Sequence, residues 1–213
     1  MKMTKVVLLI WIAVLIFALP SLATDRPYDK TGPSDVVKEI SIFRKERDNF
    51  FKSHPRSPLK ESDRLNFHQL SYYPIDLRYR FQGKIELYSI DIRAPRYYVT
   101  FLTNKGTQKR YVRYGQFRLK WNGKEYTLQI FKSILSDMLF IPFKDKTNGK
   151  ETYSSGRYVD AEVLIPGYET TIDFNEAYNP SCAYNERFTC PIPPEENTLD
   201  MEVHAGEKKF RPI

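Results

Sequence analysis

The chain has little of several things, and each scarcity narrows what it can be. Only two of its 213 residues are cysteine and three are histidine. Cys182 and Cys190 are separated by seven residues, which is not zinc-ligand spacing, and His54, His68 and His204 are scattered, so no metal site is expected. Glycine is sparse where phosphate loops would need it. Thr147-Asn148-Gly149-Lys150-Glu151-Thr152 resembles the end of such a loop, but Lys144 stands where the first glycine belongs and Glu151 follows the lysine. Tyr153-Ser154-Ser155-Gly156 lacks the leading glycine of a nucleophile elbow. No nucleic-acid-binding motif is present. No internal repeat and no low-complexity segment occur, and no cofactor is implied.

Long apolar runs are also missing beyond the N-terminus. Lys2 and Lys5 precede an uncharged apolar run from Val6 to Leu19, Pro20 ends it, and Ser21-Leu22-Ala23 supplies small residues. That is the layout of a secretory signal peptide, residues 1–23, cleaved near Ala23. The run is shorter than the roughly 20 apolar residues that span a bilayer. The expected mature protein is therefore exported, periplasmic or extracellular, with no stable membrane span after cleavage. Cleavage leaves 190 residues, enough for one domain: a flexible leader over 24–33 and a single domain over 34–213.

Cleavage also lowers the formal net charge from +7 to +5. From Thr24 to Ile141 there are 23 Lys/Arg against 13 Asp/Glu, and from Pro142 to Ile213 there are 8 against 13. The two parts can pair within the fold, or the basic part can present a face to an anionic glycan, lipid headgroup or phosphate.

Ser34 or Asp35 can cap a helix in which Val36, Ile40 and Phe43 recur at helical spacing, with Phe50 and Phe51 on the same side. His54-Pro55 should end it. Its polar side mixes both signs, which favours an amphipathic helix laid on the domain over a membrane-surface helix. From Tyr79 the period becomes two. Ile85, Leu87, Ile90 and Ile92 form one strand with a slip; Tyr97 to Thr103 forms another. Phe117–Trp121 and Tyr126–Ile130 flank Asn122-Gly123, the strongest short hairpin signal in the chain. Asp137–Phe143, Arg157–Leu164, Thr170–Phe174 and Thr198–His204 complete the set. No helix of βαβ length interrupts them, so the expected fold is mainly β, an antiparallel barrel or sandwich with an N-terminal amphipathic helix.

The last third carries the densest polar chemistry. It includes IPFKDKTNGKETYSSGRYVDAEV and DFNEAYNPSCAYNERFTCPIPPEENTLDMEVHAGEK. With ERDNFFKSHPRSPL and DRLNFHQLSYYPIDLRYRF before them, these segments resemble the DUF1684 family, bacterial proteins of unknown function. The resemblance runs from about Arg47 to the C-terminus and implies no reaction, ligand or catalytic residue.

From the residues themselves, Asp145, Lys150, Glu151, Tyr153 and Arg157 come from one hairpin region. Asp173, Asn175, Tyr178, Asn179 and Tyr184 come from the following loop, and Glu195 and Asn197 follow its prolines. Loops as long as Asn175–Asn197 are uncommon inside a compact domain. An even cysteine count in an exported chain favours a Cys182–Cys190 disulfide, with two free buried thiols as the alternative. These polar groups either satisfy a loop that plugs one end of the barrel or line a pocket at its mouth. In the second case the chain binds a small molecule or envelope glycan, with tyrosine faces and Arg157 and Asn175 orienting it. The alternative is a hydrolytic enzyme pairing Asp145 with Glu151, or Asp173 with Glu195, as acid and base.

Overall fold

The computed structural model describes residues 32–89, 93, 97–133, 138–161 and 169–210. The expected signal peptide (1–23), most of the expected leader, Ile90, Ile92, Asp137 and the end of the strand expected to reach Leu164 lie outside these residues.

Helix α1 spans Pro33–Ser53. It starts one residue before the expected cap: Gly32 is the N-cap and no side chain caps the turn, because Pro33 at the first helical position already presets the backbone. The C-terminus is at His54, as Pro55 requires. Val36, Ile40 and Phe51 are buried, whereas Phe50 is exposed. The stripe between them is continued by cations. Arg44 donates to the Tyr73 carbonyl at 2.9 Å and the Asn175 carbonyl at 3.0 Å, and Arg47 reaches Glu207 at 3.6 Å. A short helix α2, Glu61–Leu65, follows.

Among the described residues, seven antiparallel strands make one sheet: β1 Arg80–Leu87, β2 Tyr98–Leu102, β3 Gln108–Trp121, β4 Lys124–Ser133, β5 Leu139–Phe143, β6 Arg157–Ala161 and β7 Glu169–Asp173. The path runs β6-β5-β4-β3-β1-β7, and β2 shares with β1 the second edge of β3. Its end strands β6 and β7 touch, so the sheet curls into a half-barrel. Asn122 and Gly123 adopt φ of 48° and 78°, turning β3 into β4 with Trp121 opposite Lys124. The inward residues Phe117, Leu119, Leu128, Ile130, Leu139, Ile141, Phe143 and Ile172 form the main core.

The segment Thr198–His204, expected to be a strand, is not one. Its alternation is real, since Leu199, Met201 and Val203 are buried in the same core while Asp200 and Glu202 are exposed. Its polar backbone groups are taken by other partners. Leu199 N and Met201 O bond the backbone of Lys144 and Lys146. Val203 N donates to Asp145 Oδ2 at 2.9 Å, and the Val203 carbonyl accepts from Arg157 at 2.9 Å. An extended chain that feeds a buried ion pair keeps the strand period without the ladder.

Candidate functional site

The twelve side chains read from the sequence fall into separate groups. In the first, Arg157 is fully buried. Its Nη1 donates to the Ala205 carbonyl at 2.5 Å and the Glu207 carbonyl at 3.2 Å, and its Nη2 donates to Asp145 Oδ1 at 3.3 Å. The ring of Phe143 lies 5.3 Å from the guanidinium. Asp145 Oδ2 also accepts from the Thr147 amide at 3.2 Å and hydroxyl at 2.6 Å. Burial holds the Arg157 pKa below its ordinary value, with Asp145 opposing that shift. This pair is an internal brace.

In the second group, Asp173 caps the turn after β7 by accepting from the Asn175 amide and side chain at 2.8 Å, and it pairs with Arg80 at 3.0 Å. Asn175 exchanges two 2.9 Å bonds with the backbone of Asp76. Beside them, burial and the Asp173 charge push the Glu176 carboxyl up to about 7. A raised folded-state pKa contributes stability below the ordinary 4.5 that is lost as pH rises through about 7. Glu176→Gln should flatten that decline, as urea unfolding at pH 5 and pH 8 would show.

The third group surrounds a residue that was not picked out from the sequence. Glu207 is fully buried. It accepts from the Asn179 side chain at 2.9 Å and amide at 3.1 Å, and from the Tyr184 hydroxyl. Arg47 closes the group, with its guanidinium 4.5 Å from the Tyr178 ring and 5.1 Å from the Phe51 ring. The readable signal was on α1: Val36, Ile40, Arg44, Arg47 and Phe51 share one helical face, so cations on the buried stripe called for buried acceptors.

Asn197, also fully buried, ties the loop to β4 and β5 through Gln129 N at 2.7 Å, Gln129 O at 2.9 Å and Pro142 O at 2.8 Å. Glu195 is exposed in the preceding turn. The expected disulfide is not formed. Cys182 and Cys190 are free thiols, and Cys190 Sγ instead accepts from the Cys182 amide at 3.3 Å. The Tyr153 hydroxyl lies 3.7 Å from Cys182 Sγ. The loop is held by bridges, Thr103 with Pro191 and Tyr158 with Tyr178, so it needs no covalent link to keep its course.

Arg157, Asp173 and Asn175 therefore do not line one pocket with Tyr153. Lys150 and Glu151, in contrast, are exposed and line a cleft of about 420 Å³ with Phe67, Lys208, Lys209 and Phe210. Lys208 Nζ sits 4.5 Å from the Tyr73 ring, and Lys209 Nζ donates to the Gly149 carbonyl at 2.9 Å. Among the described residues, none of these three lysines pairs with a carboxylate. Glu151 Oε1 lies 3.5 Å from His204 Nε2. Among the described residues no group of His, Cys, Asp and Glu is arranged to hold a metal ion, and no helix is long and apolar enough to cross a membrane.

A mainly β half-barrel clasped by one N-terminal helix is thus the class of protein to which the chain belongs. More narrowly, it belongs to the DUF1684 family, proteins of unknown function, whose profile matches residues 65–208. The solution NMR structure of an uncharacterized protein from gene locus rrnAC0354 of Haloarcula marismortui is similar at 33% identity, covering 82% of this chain and 95% of that one with a TM-score of 0.65. No curated protein matches the chain.

Proposed function

We propose that the chain is an exported binding module for a small anionic ligand of the acidic-sugar class, held in the cleft of Lys150, Lys208 and Lys209. The observation that carries this reading is that three lysines converge there without a carboxylate partner among the described residues. Ammonium groups without a carboxylate partner beside an apolar wall, here Phe67 and Phe210, suit a ligand that joins a carboxylate to a hydrocarbon face. The apolar run Val6–Leu19 with Ser21-Leu22-Ala23 behind it supports export and an envelope fragment as the source. The hydrolytic alternative has less support, because Asp145 is spent on Arg157 and Asp173 on Arg80.

Titration with glucuronic acid and with glucose, followed by NMR, tests the reading. Hydrogen bonds to charged groups contribute about 1.5–3 kcal/mol each. The double variant Lys150→Ala/Lys208→Ala should then weaken glucuronic acid binding by at least about tenfold. Its melting temperature should fall little, since Lys150 is exposed and Lys208, half-buried, gives up only its contact with the Tyr73 ring. Equal binding of glucose, or an unchanged double variant, would refute the anionic ligand.

A further inference from the structure

A second cleft, of about 580 Å³, adjoins the first and differs from it in charge. The two meet at the 3.5 Å contact between Glu151, which lines the lysine cleft, and His204, which lines its neighbour. His204 also approaches Glu202, at 3.6 Å, so the junction is a histidine between two carboxylates. In the second cleft the cations are already matched. Asp200 lies between Lys124 at 2.7 Å and Lys146 at 2.5 Å. Those two lysines hold the Asp200 carboxyl down at about 2, so it stays ionised; Glu202 lines the cleft as well, so two carboxylates balance the two lysines. Such a set has no spare positive charge for an anion, yet it keeps donors and acceptors in fixed places for hydroxyl groups.

The wall of this cleft is aromatic. Trp121 ends β3 at the Asn122-Gly123 turn and is only half-buried, although Phe117 and Leu119 on the same strand are fully enclosed. Tyr79 stacks on its indole at 4.4 Å with an interplanar angle of 23°, which fixes the plane of the ring while the indole still lines the cleft. The hydroxyls of Tyr79 and Tyr126 donate to the carbonyls of Glu202 at 3.2 Å and Asp200 at 3.1 Å, locking the aromatic wall to the chain that carries the charged trio. A fixed indole beside neutralised hydrogen-bonding groups suits the C–H face and hydroxyls of an uncharged sugar.

We infer that the ligand is an oligomeric glycan with charged and neutral units in succession. The acidic unit sits on the lysine cleft, and the neutral unit lies against Trp121, with the linkage passing His204. This rests on the anionic reading of the first cleft and adds the length and composition of the ligand. Joining two weak subsites through one ligand raises affinity without any new contact, because the second unit binds from a high effective concentration.

The test compares glucuronic acid with a hyaluronan tetrasaccharide, which alternates glucuronate and N-acetylglucosamine. The tetrasaccharide should bind about tenfold or more tightly than the monosaccharide. Trp121→Ala should abolish that gain and leave glucuronic acid binding unchanged. Because Trp121 also packs against the core, Asp200→Asn, which alters an exposed side chain, provides a second arm and should reduce the gain without lowering the melting temperature. A tetrasaccharide that binds no better than glucuronic acid, or a gain untouched by both variants, overturns the two-subsite ligand and leaves the lysine cleft standing. If neither probe binds, the reading of the lysine cleft falls first and takes this one with it.

Discussion

Arg157→Ala should lower the unfolding free energy by about 3–5 kcal/mol, the usual cost of leaving one buried charge without its partner. Arg157 is the largest fully buried side chain among the described residues. It gathers three carbonyls, from Val203, Ala205 and Glu207, and the carboxylate of Asp145. Alanine would strand all four acceptors and open a cavity beside Phe143. Arg157→Lys should recover little, because a single ammonium cannot span acceptors that a planar fork reaches from two nitrogens. Urea denaturation measures the loss. A loss below about 1 kcal/mol, the worth of one ordinary hydrogen bond, would show that the brace is not structural.

The same arginine shows what the sequence could and could not reveal. The hairpin at Asn122-Gly123 was legible because turn chemistry and alternation are local properties, and its register follows from a two-residue loop. The end of α1 was legible for the same reason, since His54-Pro55 forbids further helix. Thr198–His204 was misread because period two reports alternate burial, which any extended segment lining a core displays, whether or not a neighbouring strand bonds to it. Arg157 and Asp173 stood out as polar residues in an unusual loop, but a polar residue bound to distant carbonyls and one bound to a ligand have the same one-dimensional signature. What separates them is whether the partner lies far away in the chain, 48 residues for Arg157 with Ala205 and 93 for Asp173 with Arg80. Lys150 and Glu151 were found, while Lys208, Lys209 and Phe210 were passed over because they join the cleft only through long-range contacts: Lys208 N with the Ser71 carbonyl at 2.7 Å and Lys209 N with the Glu151 carbonyl at 2.9 Å.

Arg47→Ala should cost a comparable amount, about 3–5 kcal/mol at neutral pH, and the loss should depend on pH in a way that Arg157→Ala does not share. Arg47 is the cation paired with the carboxylate of the fully buried Glu207, and it carries the inward face of α1 onto the rest of the domain. Burial raises the Glu207 pKa above its ordinary 4.5, and the Arg47 charge is the largest influence opposing that rise. A raised folded-state pKa means that the folded protein binds the proton more tightly than the unfolded chain. The contribution of Glu207 is therefore full below pH 4.5 and diminishes as pH climbs through the folded-state value. Removing Arg47 lets that value rise further, so the variant should lose more stability than the wild type between pH 5 and pH 8. Adding Glu207→Gln to Arg47→Ala should erase the excess slope, because a neutral amide needs no cation and can still bond Tyr184 and Asn179. Urea unfolding of the four proteins at both pH values forms a double-mutant cycle that isolates the pair. Parallel pH dependence in wild type and Arg47→Ala would mean that Tyr184 and Asn179 alone sustain the carboxylate, and that α1 is held by Arg44 and its apolar stripe instead.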